Sequence, residues 1–405
     1  VCFPDMQGRL VGKRVTGAFF LDHGVHELHV CDYLLTVDMD MEPVPGYVAA
    51  NWDTGYGDFA VRPDLSTLRR IPWLEATALV LGDCVGGDGL EVPHSPRTIL
   101  KRQIKRAAAL GYTVKIGSEL EFYIFDDSFE GAAEKRYADL KTTGRYIEDY
   151  HIFQTSKEEG MIRAIRNGME GAAVPVEFSK GEWGPGQAEI NLRYADAWAA
   201  GKAITFMAKW REDLAGNSCH IHSSLWNGDA PVFANEDAPE FDQWAAGQMA
   251  LADDMTYFLA PYINSYKRFQ EGSFAPTRIA WSRDNRTAGF RVVGDGPARR
   301  LECRVPGGDC NPYLAFSAVI ATGLHGIEHQ LDPGPMLQGN LYDADAPEIP
   351  KTLRAALTAF DASVPLRAAF GDAVVEHYLH TGRWEQAEYD RRVTDWELQR
   401  LFERG

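Results

Sequence analysis

Residues 115–125 read KIGSELEFYIF, and their period of two decides how the rest of the chain is read. On a β-strand successive side chains point to opposite faces. Glu119 and Glu121 therefore fall on one face, and Leu120 and Phe122 on the other. Two carboxylates side by side repel. A chain tolerates that where water or a cation takes up the charge, so the pair is either a solvated strand face or part of a divalent-metal site.

The same alternation recurs downstream. In 181–194, GEWGPGQAEINLRY, Glu182 precedes a Gly-Pro-Gly turn, and Gln187 and Glu189 share one face of the next strand. In 217–226, NSCHIHSSLW, His220 and His222 share a face. In 299–306, RRLECRVP, one face carries Arg300, Glu302 and Arg304. Lys267, Arg268, Arg286 and Arg291 gather positive charge within 263–291. The histidines and the arginine–glutamate stripe each have a bland reading alone: a satisfied core residue and a cross-strand ion ladder. Together they offer five carboxylates, one or two imidazoles and several arginines. Such a set does not converge without cations to neutralise it. Oxygen-rich ligands suit Mg²⁺ or Mn²⁺ more than Zn²⁺. Hard cations beside arginines suit phosphoryl transfer. The sequence has neither a G-x-x-x-x-G-K-[ST] loop nor G-x-G-x-x-G, so a nucleotide would be held another way.

The chain of 405 residues has room for two or three domains. Its net charge of −17 argues against a nucleic-acid surface. No apolar run is long enough to span a membrane. The six cysteines show no paired spacing and read as reduced thiols of a cytoplasmic protein. Val1 opens inside what reads as a strand, and we expect residues to be missing before it. Residues 1–93 read as a small domain of short strands, including 14–20 and 26–37, with 51–64 as a loop exposing Trp52, Asp53, Tyr56 and Asp58. Residues 94–405 read as a second domain: a helix over 97–110 opened by Ser95 and Pro96, the Glu119 strand, a helix over 157–169, a strand over 173–178, further strands at 205–209 and 217–225, and helices over 239–260 and 311–329.

In that order, SELEF, E…GQxEI, HxHSSL, NSYKRF…APT, RRLECRVP and NPYLAF resemble class I glutamine synthetase over nearly the whole chain. The resemblance implies an α+β fold: a small N-terminal β-grasp domain and a catalytic α/β domain with a curved antiparallel sheet. It implies a homododecamer with active sites between subunits, and ATP with two or three Mg²⁺ or Mn²⁺ per site. Position by position, Glu121, Glu182 and Glu189 match the ligands of a first metal, and Glu119, His220 and Glu302 those of a second. His222, Ser224, Arg286 and Arg300 match the nucleotide and phosphate contacts. Gly216, Arg268 and Arg304 match the glutamate clamp, and Arg291 joins Arg286 near the phosphoryl-transfer site. Tyr342 stands where some relatives are adenylylated.

Three departures matter. The flap position that carries a glutamate in ammonium-using relatives is Phe274 here, in GSFAPT. The N-terminal ammonium loop is replaced by Asn51-Trp52-Asp53-Thr54-Gly55-Tyr56. A phenyl ring neither accepts a proton nor holds ammonium as a carboxylate does. Both changes resemble γ-glutamyl-amide synthetases, the ethanolamide type most, and imply an amine pocket of Trp52, Asp53, Tyr56 and Phe274. The implied activity is an ATP-dependent ligation of glutamate to an organic amine through a γ-glutamyl phosphate. A glutamine synthetase using ammonium, with Asp53 or Glu271 as base, and a non-catalytic relative are the alternatives. Third, the link at 194–202 is too short for the helix the family places there, and we expect residues to be missing within 196–201.

Overall fold

A computed structural model describes residues 1–192 and 202–404. Its centre is a nine-stranded sheet. The long strand Thr113–Ile124 lies in the middle, because Phe122, Tyr123 and Ile124 at its end are all buried. Gln187–Leu192 pairs on one side of it and Cys219–Asn227 on the other, both antiparallel. Val176–Gly181 closes one edge. Arg300–Cys303, Phe290–Val293 and Trp281–Arg283 extend the other, and the last pair runs parallel, so the sheet is mixed rather than purely antiparallel.

Register turns the alternating pattern into a site. Glu119 sits opposite His220 and Asn191. Glu121 sits opposite Glu189, and Glu189 opposite Lys180. His222 sits opposite Glu302, and Glu302 opposite Arg291. Helices cover the other face. Pro96–Ala109, Glu240–Ala250, Ala252–Leu259 and Pro312–Glu328 bury a continuous core that includes Ile221, Leu225, Trp244, Leu301 and Leu324. Gly247 and Gly326 let two of these helices touch backbone to backbone: a Cβ on Gly326 would lie 1.9 Å from the Gln243 carbonyl oxygen.

The N-terminal part has its own sheet, Leu28–Cys31, Asp58–Pro63 and Gly82–Val85, around a core of Phe3, Val30, Phe59, Val61 and Cys84. Three readings change here: the strand expected over 26–37 is confined to Leu28–Cys31 and gives way to a 3-10 turn, Asp32–Leu35. Residues 14–20 do not form a strand: Gly17–Phe19 is helical, capped by the Thr16 hydroxyl accepting from the Phe19 amide, and runs into a π-helical turn, Phe20–Gly24. Most of these side chains are exposed, so no buried face rewards an extended chain. Only the first part of 51–64 is loop, because Phe59 and Val61 pull Asp58–Pro63 into the sheet. The strand expected at 205–209 shortens to Ile204–Thr205. Tyr342 is 7% exposed and is not presented for modification. The link expected to hide missing residues at 196–201 lies outside the described residues.

Residues 5, 6 and 35 of the N-terminal part are pinned to the rest of the chain by buried polar contacts. Asn311 donates to the carbonyls of Asp5 and Met6, both at 3.0 Å. His377 Nε2 lies 2.9 Å from the Leu35 carbonyl and its ring stacks on His94 at 4.1 Å. Burial lowers the His94 pKa from 6.5 to about 4. Below pH 6.5 the unfolded chain takes up a proton that the folded chain refuses, so stability present above that pH is lost as pH falls toward 4. The loss expected from His94 alone is about 3 kcal/mol. Urea unfolding at pH 7 and pH 4.5 checks it, and His94→Gln is expected to flatten the slope.

Candidate active site

Glu119, Glu121, Glu182 and Glu189 converge on one cavity of about 130 Å³, which His220, Arg268, Phe274, Arg286 and Arg304 also line, with Gly216 on its wall. Two triads of ligand atoms form. Glu121, Glu182 and Glu189 bring one oxygen each within 4.8 Å of one another, and so do the ligand atoms of Glu119, His222 and Glu302. The second triad holds His222 where His220 was expected. Both imidazoles in fact grip Glu119: His220 Nδ1 at 3.1 Å and His222 Nε2 at 3.0 Å. His220 Nδ1 also stands 3.4 Å from Glu302.

The charges behave as such packing requires. Burial raises Glu121, and the neighbouring Glu182 raises it further. Burial likewise raises Glu189, reinforced by its hydrogen bond to Glu182 and by that residue's charge. A hard cation would relieve both, so the donor set fits one. Burial works against Glu119 too, but its bonds from His220 and His222 more than reverse this and hold it well below the usual range. Glu302, fully buried, is held at about 2: burial opposes, and Arg304 and His220 outweigh it. Its oxygens accept from Arg304 Nη1 at 2.6 Å and Arg291 Nη1 at 3.1 Å.

The arginines are placed for an anion. Arg268 and Arg304 are 3% and 2% exposed. Arg268 donates to the Val305 carbonyl, and Arg304 to the Phe274 carbonyl at 3.3 Å. The Nε of each is buried without a partner. Both side chains nonetheless line the cavity, so each brings a guanidinium charge to an incoming anion. Gly216 must be glycine, since a Cβ there would lie 2.5 Å from Arg268 Cγ. A second, wider cavity of about 610 Å³ opens beyond Glu119 and is lined by His222, Ser224, Arg299 and Arg300. Arg300 Nε lies 3.2 Å from His222 Nδ1. Ser224 Oγ accepts from Trp226 Nε1 at 3.0 Å.

Trp52, Asp53 and Tyr56 line neither cavity. Their loop is tied to its own domain, through Asn51 to the Tyr47 carbonyl at 2.8 Å and the Gly57 amide to Asp32 at 3.0 Å. Trp52 is 75% exposed and packs edge-on against Tyr56. Residues that the pattern reading passed over do line the acidic cavity: Asp149, Tyr150, Lys180 and Trp183. Lys180 is two residues before Glu182, so strand alternation places it on the same face. Asp149 and Tyr150 sit on irregular backbone and carry no such signal.

All six cysteines are free thiols. Among the described residues no helix is long and apolar enough to cross a membrane. The model of the glutamine synthetase catalytic domain matches residues 93–200 and 196–401. The γ-glutamylethanolamide synthetase GlnA4 of Streptomyces coelicolor is 47% identical, covering 100% of this chain and 92% of that protein. A glutamate–isopropylamine ligase from a Pseudomonas species is 34% identical, covering 98% and 93%. The solved structure of a GmaS/ADP complex superposes with a TM-score of 0.86 at 26% identity, covering 99% of this chain and 96% of that one. With its two triads, its buried arginines and these likenesses along its whole length, the chain belongs to the glutamine synthetase family.

Proposed function

We propose that the protein joins glutamate to an organic amine at the expense of ATP. The observation that carries this is the flap. Phe274 overhangs the acidic cavity, packs edge-on against Trp183 at 5.6 Å and brings no carboxylate to the amine side. The likeness to ethanolamine- and isopropylamine-using proteins supports the same reading.

Arg268 and Arg304 would hold the glutamate. His222, Ser224 and Arg300 would face the nucleotide, and Arg286 and Arg291 the transferring phosphoryl group. Glu121, Glu182 and Glu189 would hold one divalent cation, and Glu119, Glu302 and one or both imidazoles another. When bound, such ions neutralise the carboxylates and stabilise charge on phosphoryl oxygens. In the first step a γ-carboxylate oxygen of glutamate attacks the terminal phosphorus of ATP, and ADP leaves. In the second the amine nitrogen attacks the acyl carbon, the C–O bond to phosphate breaks, and the amine proton passes to a base. Asp53 would reach the site from the small domain of a neighbouring copy, with Trp52 and Tyr56, in a ring of the family's dodecameric kind.

ADP release with glutamate and a panel of amines tests this. Ethanolamine or a small alkylamine is expected to outperform ammonium, and Phe274→Glu to raise ammonium use by about tenfold. Ammonium outperforming every organic amine in the unaltered protein would contradict the proposal.

A further inference from the structure

The acidic cavity already contains an alkylammonium group, that of Lys180. Its Nζ donates to Glu182, lies 3.3 Å from Asp149 and 3.8 Å from Glu189, and sits 4.7 Å above the ring of Tyr150. Carboxylates beside an aromatic face are what a small cation seeks. Of the carboxylates lining the cavity, Asp149 alone stands outside both triads among the described residues, and Lys180 is on it. Asp149 and the Tyr150 ring are contacts of the lysine that lie outside the first triad. Beside these contacts the cavity mouth is apolar: Trp183 and Phe274 are 47% and 42% exposed and meet ring edge to ring face.

Resting on the γ-glutamyl-amide reading, we infer that Lys180 excludes ammonium: its own cation fills the place a bare NH₄⁺ would need, and the acceptor is recognised by a short uncharged tail lying on the Trp183–Phe274 pair. Ammonium has no tail to offer that pair and no vacant carboxylate to bind. A diamine meets like charge at Lys180 and is a poor acceptor for the same reason.

The test compares kcat/KM for ammonium and for ethylamine in the unaltered protein, Lys180→Met, Lys180→Arg and Trp183→Ala. Lys180→Met is expected to raise the ammonium-to-ethylamine ratio by about tenfold or more, and Lys180→Arg, which keeps the charge, to leave it unchanged. Trp183→Ala is expected to raise KM for ethylamine with little change in kcat. An unchanged ratio in Lys180→Met with ethylamine turnover retained overturns the inference. So does loss of both activities in folded Lys180→Met, which would make the lysine part of the chemistry. Should Lys180→Met not fold, Lys180→Gln carries the same comparison. If the unaltered protein uses no organic amine at all, the underlying reading fails instead.

Discussion

Glu302→Gln is expected to abolish turnover, lowering kcat by about a thousandfold or more. Glu302 is at once a member of the second triad and the anion that Arg291, Arg304 and His220 share. An amide of the same shape cannot serve both roles. It offers one oxygen and no charge, and its NH₂ group would point a donor at a guanidinium. Removing one partner of a buried ion network leaves the others uncompensated, so a loss of about 3–5 kcal/mol in stability is expected as well. The two effects separate. Unfolding by denaturant reads the second, and phosphoryl transfer measured on the fraction that remains folded reads the first. Retained turnover in a stably folded variant would remove Glu302 from the chemistry.

Arg304→Lys is expected to act on glutamate above all. Arg304 spends Nη1 on Glu302 and Nη2 on the flap at Phe274, and keeps Nε buried without an acceptor. A lysine supplies a point charge in place of a fork, so it can satisfy Glu302 or the substrate but not both while holding the flap. We expect KM for glutamate to rise by about a hundredfold, equivalent to about 2.7 kcal/mol. KM for ATP is expected to move little, because Arg304 lines the acidic cavity and not the one proposed for the nucleotide. Steady-state kinetics with each substrate varied in turn checks this, and an equal rise for both substrates would place Arg304 elsewhere in the mechanism.

The site was legible in the sequence wherever it sits on regular strands. Glu119 and Glu121, Gln187 and Glu189, His220 and His222, and Arg300, Glu302 and Arg304 all follow the period of two, and strand register brought them face to face. Lys180 obeys the same rule but fell outside the expected strand, which ended at 178 while the observed one runs Val176–Gly181. Glycine and lysine are weak strand formers, and pairing with Glu189 carries the strand past them. Tyr150 and Phe274 take left-handed backbone angles, φ 56° and 58°. No side-chain pattern announces that, because bulky residues adopt it only when the surrounding structure holds them there. The N-terminal part was harder for a different reason. Its strands are short, and its elements at 14–24 are exposed, so hydrophobic periodicity had little to act on.

Oxygen-isotope transfer puts the whole account to one test. Glutamate labelled with ¹⁸O in its γ-carboxylate is incubated with ATP, the preferred amine and Mg²⁺, and the released phosphate is weighed by mass spectrometry. If the cavity moves phosphate onto glutamate before the amine attacks, one labelled oxygen leaves with each phosphate, and a chelator stops both label transfer and ADP release. Amide formed at full rate with unlabelled phosphate would contradict the account, since glutamate would then never have carried the phosphoryl group.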